Sequence, residues 1–216
     1  MKKIWILLAL CCLLTACSAP AETPAVPNTT APATRISPLP ESMDLERLDN
    51  CTAAVSLSKG DAYVDDTGAM QMKVTVYTYD LYDLADISQL KAGDILTIRG
   101  QDVAVTDVAR DESGIVRVNG GVDQGGYDLG TFDEGVYFEI LPSDAHYWQE
   151  LGEATVRVSP DFLYTDSSDL DKGEIVYYPG DFLVEGTGID YNFSPNNTTI
   201  VIENGRVIAM NRVYVP

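Results

Sequence analysis

The side chains that could do chemistry in this chain are mostly carboxylates, because the other common catalytic groups are scarce. The sequence contains 33 Asp and Glu residues but only one histidine and four cysteines. A nucleophilic triad would need His146 as its base, and no serine lies in a Gly-x-Ser-x-Gly context. Cys51 and His146 cannot form a zinc site without carboxylates. We therefore assign no catalytic residue from the sequence.

An acidic segment near residue 170 is the candidate metal site. Asp166, Asp169, Asp171 and Glu174 offer oxygen ligands, which Ca²⁺ prefers. Their spacing departs from the EF-hand pattern, because Gly173 is misplaced and the glutamate at loop position 12 is absent. Ca²⁺ binding is one interpretation of this segment, and a solvated acidic loop is the other. The sequence predicts no other cofactor.

Aromatic side chains offer a second candidate site. Tyr77, Tyr79, Tyr82 and Trp148 could form a platform on which sugar rings stack. Tyrosine is also an ordinary strand residue with a polar tip, so a structural role is the alternative. Two carboxylates could instead hydrolyse a glycosidic bond, but the sequence does not single out a pair.

The first residues of the chain have the layout of a secretory leader. Lys2 and Lys3 precede an apolar run over residues 4–14. This run of about eleven residues is too short to span a bilayer as a helix, which takes roughly 20, and it fits the apolar region of a signal peptide.

The run ends in Leu14-Thr15-Ala16-Cys17, which resembles the lipobox of bacterial lipoproteins. The resemblance covers residues 1–17. It implies that residues 1–16 are removed as a lipoprotein signal peptide and that Cys17 becomes the lipidated, palmitate-bearing N-terminus. Two or more acyl chains hold a protein stably on a membrane. We therefore expect the protein on the outer face of the bacterial cell membrane, or on the outer membrane if the cell has one.

The rest of the chain is strongly acidic. Removal of Lys2 and Lys3 from the 14 basic residues leaves 12 against 33 acidic ones, a net charge of −21. Nucleic-acid binding depends on Lys and Arg that neutralise phosphates, so we expect no nucleic-acid partner. Once Cys17 is lipidated, Cys51 is the last cysteine and no intramolecular disulfide can form.

Composition divides the mature chain into a linker and a body. Residues 17–42 are rich in Pro, Thr and Ala, and proline keeps such a segment extended and solvated. Residues 43–216 form the body. A further division into subdomains at about 43–141 and 154–216 is an alternative to one domain.

The hydrophobic pattern of the body predicts a mainly β fold. Short antiparallel strands in a barrel-like or sandwich arrangement are the expectation, with 70–79 as the clearest strand and Asn204-Gly205 as the tightest hairpin turn. One short helix is predicted over 143–151, where Ser143 could cap its start and Gly152 could end it.

These observations favour a non-enzymatic binding or envelope-interaction module. The lipid on Cys17 would link it to the membrane, and its expected partner is a cell-wall glycan or an envelope protein. A carboxylate-dependent glycan hydrolase is one alternative. An accessory subunit of an envelope or transport complex is the other.

Overall fold

The computed structural model describes residues 32–41, 43–131, 135–142 and 146–215. The strands are β1 Arg35–Ile36, β2 Cys51–Ser56, β3 Ala62–Val64, β4 Met70–Thr78, β5 Leu81–Asp83, β6 Ile95–Ile98, β7 Gln101–Ala104, β8 Val108–Arg110, β9 Val116–Val118, β10 Tyr127–Gly130, β11 Val136–Ile140, β12 Gln149–Ser167, β13 Ile175–Tyr177, β14 Thr198–Glu203 and β15 Arg206–Val213. The helix α1 covers Leu84–Gln89, and 3₁₀ turns cover Val122–Gln124 and Pro179–Phe182. Within the described residues, no helix is long and apolar enough to cross a membrane. Leu14 to Cys17 lie outside the described residues.

Five strands close into a barrel in the order β2-β4-β12-β15-β14 and back to β2. All neighbours are antiparallel except β12 and β15, which are parallel. A barrel topology does not by itself assign a function. The predicted mainly β class is confirmed.

Alternation along the strands explains the core of this barrel. Met72, Val74 and Val76 of β4 are buried, and the residues between them are only half-buried, as expected for a pleated strand. β12 is long enough to pair with β4 through its first half and with β15 through its second. The ladder with β15 shifts register between Val158 and Leu163, around Pro160, which has no N–H to donate.

A second core lies in the stretch between β4 and β12, together with β1. Its sheets have the orders β1-β6-β7 and β5-β11-β10-β9-β8. The core includes Ile36, Tyr82, Ile87 and Leu96, all nearly inaccessible to solvent. α1 begins where the Asp83 carboxylate accepts the backbone N–H groups of two first-turn residues.

The helix predicted over 143–151 is wrong where the structure describes it. Residues 143–145 lie outside the described residues, and residues 146–148 have no regular secondary structure. Gln149 and Glu150 begin β12, where they pair with Thr78 and Tyr77 of β4. The one α-helix among the described residues is α1. Strand pairing with a long neighbour outweighs the local helix signals.

The compact body begins earlier than Met43. It runs over Ala33–Pro216, because β1 pairs in parallel with β6 and buries Ile36. Residues 33–41 of the predicted linker 17–42 therefore belong to the body. The two cores also group the chain differently from subdomains at 43–141 and 154–216, because β2 and β4 pair with β14 and β12 in one barrel.

Candidate functional site

The predicted aromatic platform is only partly assembled. Tyr79 and Trp148 lie together, with ring centroids 5.1 Å apart in an edge-to-face arrangement. His146 stacks flat on Tyr79 at 4.0 Å, and Phe138 meets both rings edge-on at 5.8 and 4.9 Å. One face of Tyr79 is thus covered by His146. The indole N–H of Trp148 donates to Asn196 at 2.7 Å.

Tyr77 and Tyr82 are outside this cluster. Tyr82 is fully buried in the second core, and its hydroxyl donates to the carbonyl of Thr97 at 3.0 Å. Burial, followed by the nearby Asp80 carboxylate, raises the pKa of Tyr82. The hydroxyl of Tyr77 lies 3.1 Å from that of Ser56. A platform of all four predicted residues is therefore not formed, because β5 directs Tyr82 into the core.

The aromatic cluster around His146 is a packing feature. The histidine is half-buried, and within the described part of the chain its Nδ1 atom has no hydrogen-bond partner. Burial lowers the pKa of His146, so its ring stays neutral to lower pH. A neutral imidazole packed against aromatic rings is better suited to hydrophobic packing than to acid–base chemistry.

The four predicted calcium ligands are not brought together. Asp166 is buried and accepts the hydroxyl of Tyr164 at 2.7 Å, whereas Glu174 is exposed. Lys172 holds Asp169 in an ion pair at 2.8 Å. In the ranges that the structure describes, no group of three or more His, Cys, Asp or Glu residues is placed to hold a metal ion. Calcium binding by this set stays a prediction without geometric support.

Two of those carboxylates instead line an open pocket of about 600 Å³. We call it the polar cleft and define it by Asp169, Asp171, Asp190, Asn192, Arg212 and Tyr214. The loop after β12 provides the first two residues, the segment before β14 provides the next two, and the end of β15 provides the last two. Its volume falls in the range of small-molecule sites.

Arg212 is the organising residue of the cleft. It is 5% exposed, and its guanidinium donates to the carbonyl of Asp190 at 2.9 Å and to the carboxylate of Asp190 at 3.0 Å. Asp166, its neighbour across the parallel ladder, lies 3.5 Å away. The Nε atom of Arg212 is buried and has no partner among the described residues. A buried donor without an acceptor is costly.

The charges of the cleft are held in fixed states. Burial acts to lower the pKa of Arg212, but the hydrogen bonds that its guanidinium donates to Asp190 and Tyr164 outweigh burial and raise that pKa. Burial acts to raise the pKa of Asp166, but hydrogen bonds from Ser168 and Tyr164 outweigh it and lower that pKa. The hydrogen bond from Lys172 lowers the pKa of Asp169. Asp169 is therefore an ionised acceptor in the cleft, which also contains the charged guanidinium of Arg212.

The open part of the cleft combines acceptors, donors and one ring. Asp171 and Asn192 are exposed, and none of the hydrogen bonds within the described structure engages their side chains. Tyr214 is 49% exposed. Hydroxyl-rich ligands both donate and accept hydrogen bonds and offer an apolar face to a ring. The arrangement therefore suits a hydroxylated ligand.

Sequence reasoning missed Asp190, Asn192, Arg212 and Tyr214. One signal was present: Val207 and Met210 are inward positions of the last strand, and Arg212 continues that face. A basic residue on the buried face of a strand needs a partner. The segment that supplies Asp190 has no periodicity that could have placed it.

No protein-family model, curated protein or solved structure matches this chain.

Proposed function

We propose that this protein is a lipid-anchored, non-enzymatic binding module of the bacterial cell envelope, whose polar cleft binds a cell-wall glycan. The observation that carries the proposal is the cleft itself, where carboxylates, an amide, a guanidinium and the Tyr214 ring converge. The leader and the Leu14-to-Cys17 motif support a position on the outer face of the cell membrane. A glycan is the hydroxylated ligand available at that place.

The net charge of −21 for residues 17–216 supports a neutral or cationic ligand over an anionic polymer. Within the described residues, nine of the twelve basic side chains already form ion pairs with acidic ones. Little positive charge is left to attract phosphates. A neutral glycan needs no such charge, because hydrogen bonds and ring stacking recognise it.

A glycan hydrolase is the second candidate, because Asp169, Asp171 and Asp190 line the cleft. Hydrolysis needs one carboxylic acid that stays protonated near neutral pH. The pKa of Asp169 is instead lowered by Lys172, and Asp190 is paired with Arg212. These contacts favour binding over bond cleavage.

The experiment is co-sedimentation of the full-length lipidated protein, held in detergent micelles, with purified insoluble peptidoglycan. We expect the wild type to pellet, and Asp171→Asn and Tyr214→Ala each to weaken binding about tenfold, equivalent to ~1.4 kcal/mol. Both side chains are exposed, so their replacement leaves the fold intact. Asp86→Asn on α1 and Tyr63→Ala on β3 are matched controls at exposed positions and should bind normally.

Each result decides between the candidates. Release of reducing sugar into the supernatant, abolished by Asp171→Asn, would replace the binding module by the hydrolase. Pelleting that is equal in the wild type and both cleft variants would remove the cleft as the site. Failure of the wild type to pellet would overturn the glycan proposal and favour an accessory subunit of an envelope complex.

A further inference from the structure

The strand β3 is an edge strand: among the described strands it pairs only with β4. β2 and β3 lie end to end along the same side of β4, since Ser56 pairs with Thr75 and Ala62 pairs with Met72. On its other side β2 pairs with β14, which begins at Thr198 and is already opposite Ala54 at Thr199. Beside β3, no described strand continues the line of β14.

The backbone of β3 has hydrogen-bonding groups directed toward that position. Lys73 N–H donates to the carbonyl of Asp61, and Asp65 N–H donates to the carbonyl of Ala69. In an antiparallel ladder, bonded residues alternate, so residues 61, 63 and 65 bond to β4. The N–H and C=O groups of Ala62 and Val64 therefore point away from β4.

An apolar groove of about 490 Å³ lies beside this edge. Ala62 and Tyr63 line one wall, and residues 182–191 line the other. Phe182 is buried in the barrel core, and its carbonyl accepts the Tyr191 hydroxyl at 3.4 Å, which joins the two ends of that wall. Leu183 and Val184 remain exposed at 44% and 62%.

The edge is short and partly covered: β3 has three residues, Ala62 is 7% exposed and Val64 is 51% exposed. Natural edge strands are often blocked by charged side chains or proline, and Ala62, Tyr63 and Val64 include neither. The ion pair of Lys59 with Glu185, at 3.1 Å, joins the two walls only at the solvent surface, where both side chains are largely exposed. Such an exposed pair contributes little to stability, so it does not hold the groove closed.

We propose that β3 and this groove bind an extended peptide segment of a partner protein by β-strand addition. The segment continues the line of β14, exchanges backbone hydrogen bonds with Ala62 and Val64, and places an apolar side chain against the wall formed by residues 182–191. Backbone donors and acceptors at alternate residues match the repeat of another strand. A sugar or lipid has no such repeat. The inference uses residues outside the polar cleft and does not rest on the glycan proposal.

The probe is a phage library of random heptapeptides, panned against the full-length lipidated protein in detergent micelles. We expect enriched peptides to alternate apolar and polar residues. Val64→Pro should weaken their binding at least tenfold, because proline removes an N–H that is not bonded to β4. Val64→Ala, which keeps the N–H, is the matched control and should bind within twofold of the wild type.

Two further measurements separate recognition from misfolding. Leu183→Asp places a charge in the groove at an exposed position, leaves β3 unchanged and should also abolish binding. A synthetic copy of an enriched peptide, N-methylated at alternate residues, should lose affinity for the unmodified protein. No enrichment, or binding that is insensitive to Val64→Pro, would overturn the proposal. A dimer that Val64→Pro dissociates would overturn it in favour of pairing between two copies of this chain.

Discussion

At the scale of single residues, a largely buried ion pair joins the turn after β6 to β11. Arg99 donates through Nε at 2.8 Å and through Nη2 at 2.5 Å to the two carboxylate oxygens of Glu139, which is 6% exposed. The ring of Tyr147 lies 4.3 Å from the same guanidinium. Hydrogen bonding to Glu139 is the main cause that raises the pKa of Arg99.

The backbone around this pair is specialised too. Arg99 has φ = 53°, a left-handed conformation that is unfavourable for most residues other than glycine. Its N–H donates to Asp80 at 2.7 Å, and Gln149 donates to the other oxygen of Asp80 at 2.7 Å. Asp80 thereby ties the turn after β6 to the start of β12.

We predict that Glu139→Gln lowers the free energy of unfolding by about 2 kcal/mol. Breaking a buried ion pair costs roughly 3–5 kcal/mol, and the 34% exposure of the Arg99 side chain lets water replace part of the loss. Urea titration of the full-length protein measures the change. Glu153→Gln breaks the exposed pair with Lys73 and should cost less than about 1 kcal/mol. Equal costs for the two variants would contradict a structural role for the buried pair.

At the scale of elements, the alternation of apolar and polar residues was enough to predict a strand wherever one face of that strand is buried. Alternation identified β4, and Asn204-Gly205 identified the hairpin of β14 and β15, with both turn residues at positive φ. It failed at the end of β12, which includes Asp166, the first of the four acidic residues that could have formed a solvated loop. Pairing partners from distant parts of the chain decide that strand, and no local pattern contains them.

The polar cleft was only half predictable for the same reason. Asp169 and Asp171 stood out because acidic residues cluster around them in the sequence. Asp190 and Arg212 come close to them only in the folded chain. Arg212 is the partner of Asp166 in the parallel pairing of β12 with β15, and its guanidinium donates to the carbonyl of Asp190. A cleft assembled from three separate loops and strand ends has no sequence spacing that could reveal it.

The short strand β1 makes the first residues of the body part of the fold. Thr34 N–H donates to Asp94 at 3.0 Å, and Ile36 is 4% exposed in the second core. We predict that Ile36→Ala lowers the free energy of unfolding by about 3 kcal/mol, the usual loss for a buried Ile. Leu39→Ala, at a 42% exposed position nearby, should cost less than about 1 kcal/mol. If urea titration showed no loss of unfolding free energy for Ile36→Ala, residues 33–41 would belong to the linker and not to the folded body.

At the scale of the whole molecule, the net charge of the body and the lipid expected on Cys17 both bear on how the protein is held at a membrane. An acidic body is repelled by anionic lipid, so the body, which has a net charge of −20 over residues 33–216 (12 basic and 32 acidic side chains), gains little from contact with the membrane surface. The proposed membrane attachment therefore depends on the lipid expected on Cys17.

Cys17 should therefore be the one residue on which acylation depends. We predict that Cys17→Ala abolishes incorporation of an alkyne-tagged palmitate in the bacterial host and that the variant accumulates as the uncleaved precursor. Cys51→Ala is the matched control and should label and mature normally, since burial, followed by the charge of Asp49, raises the pKa of the Cys51 thiol and keeps it protonated. In-gel fluorescence of the membrane fraction reads both variants. Retained label in Cys17→Ala, or lost label in Cys51→Ala, would refute the proposed anchor.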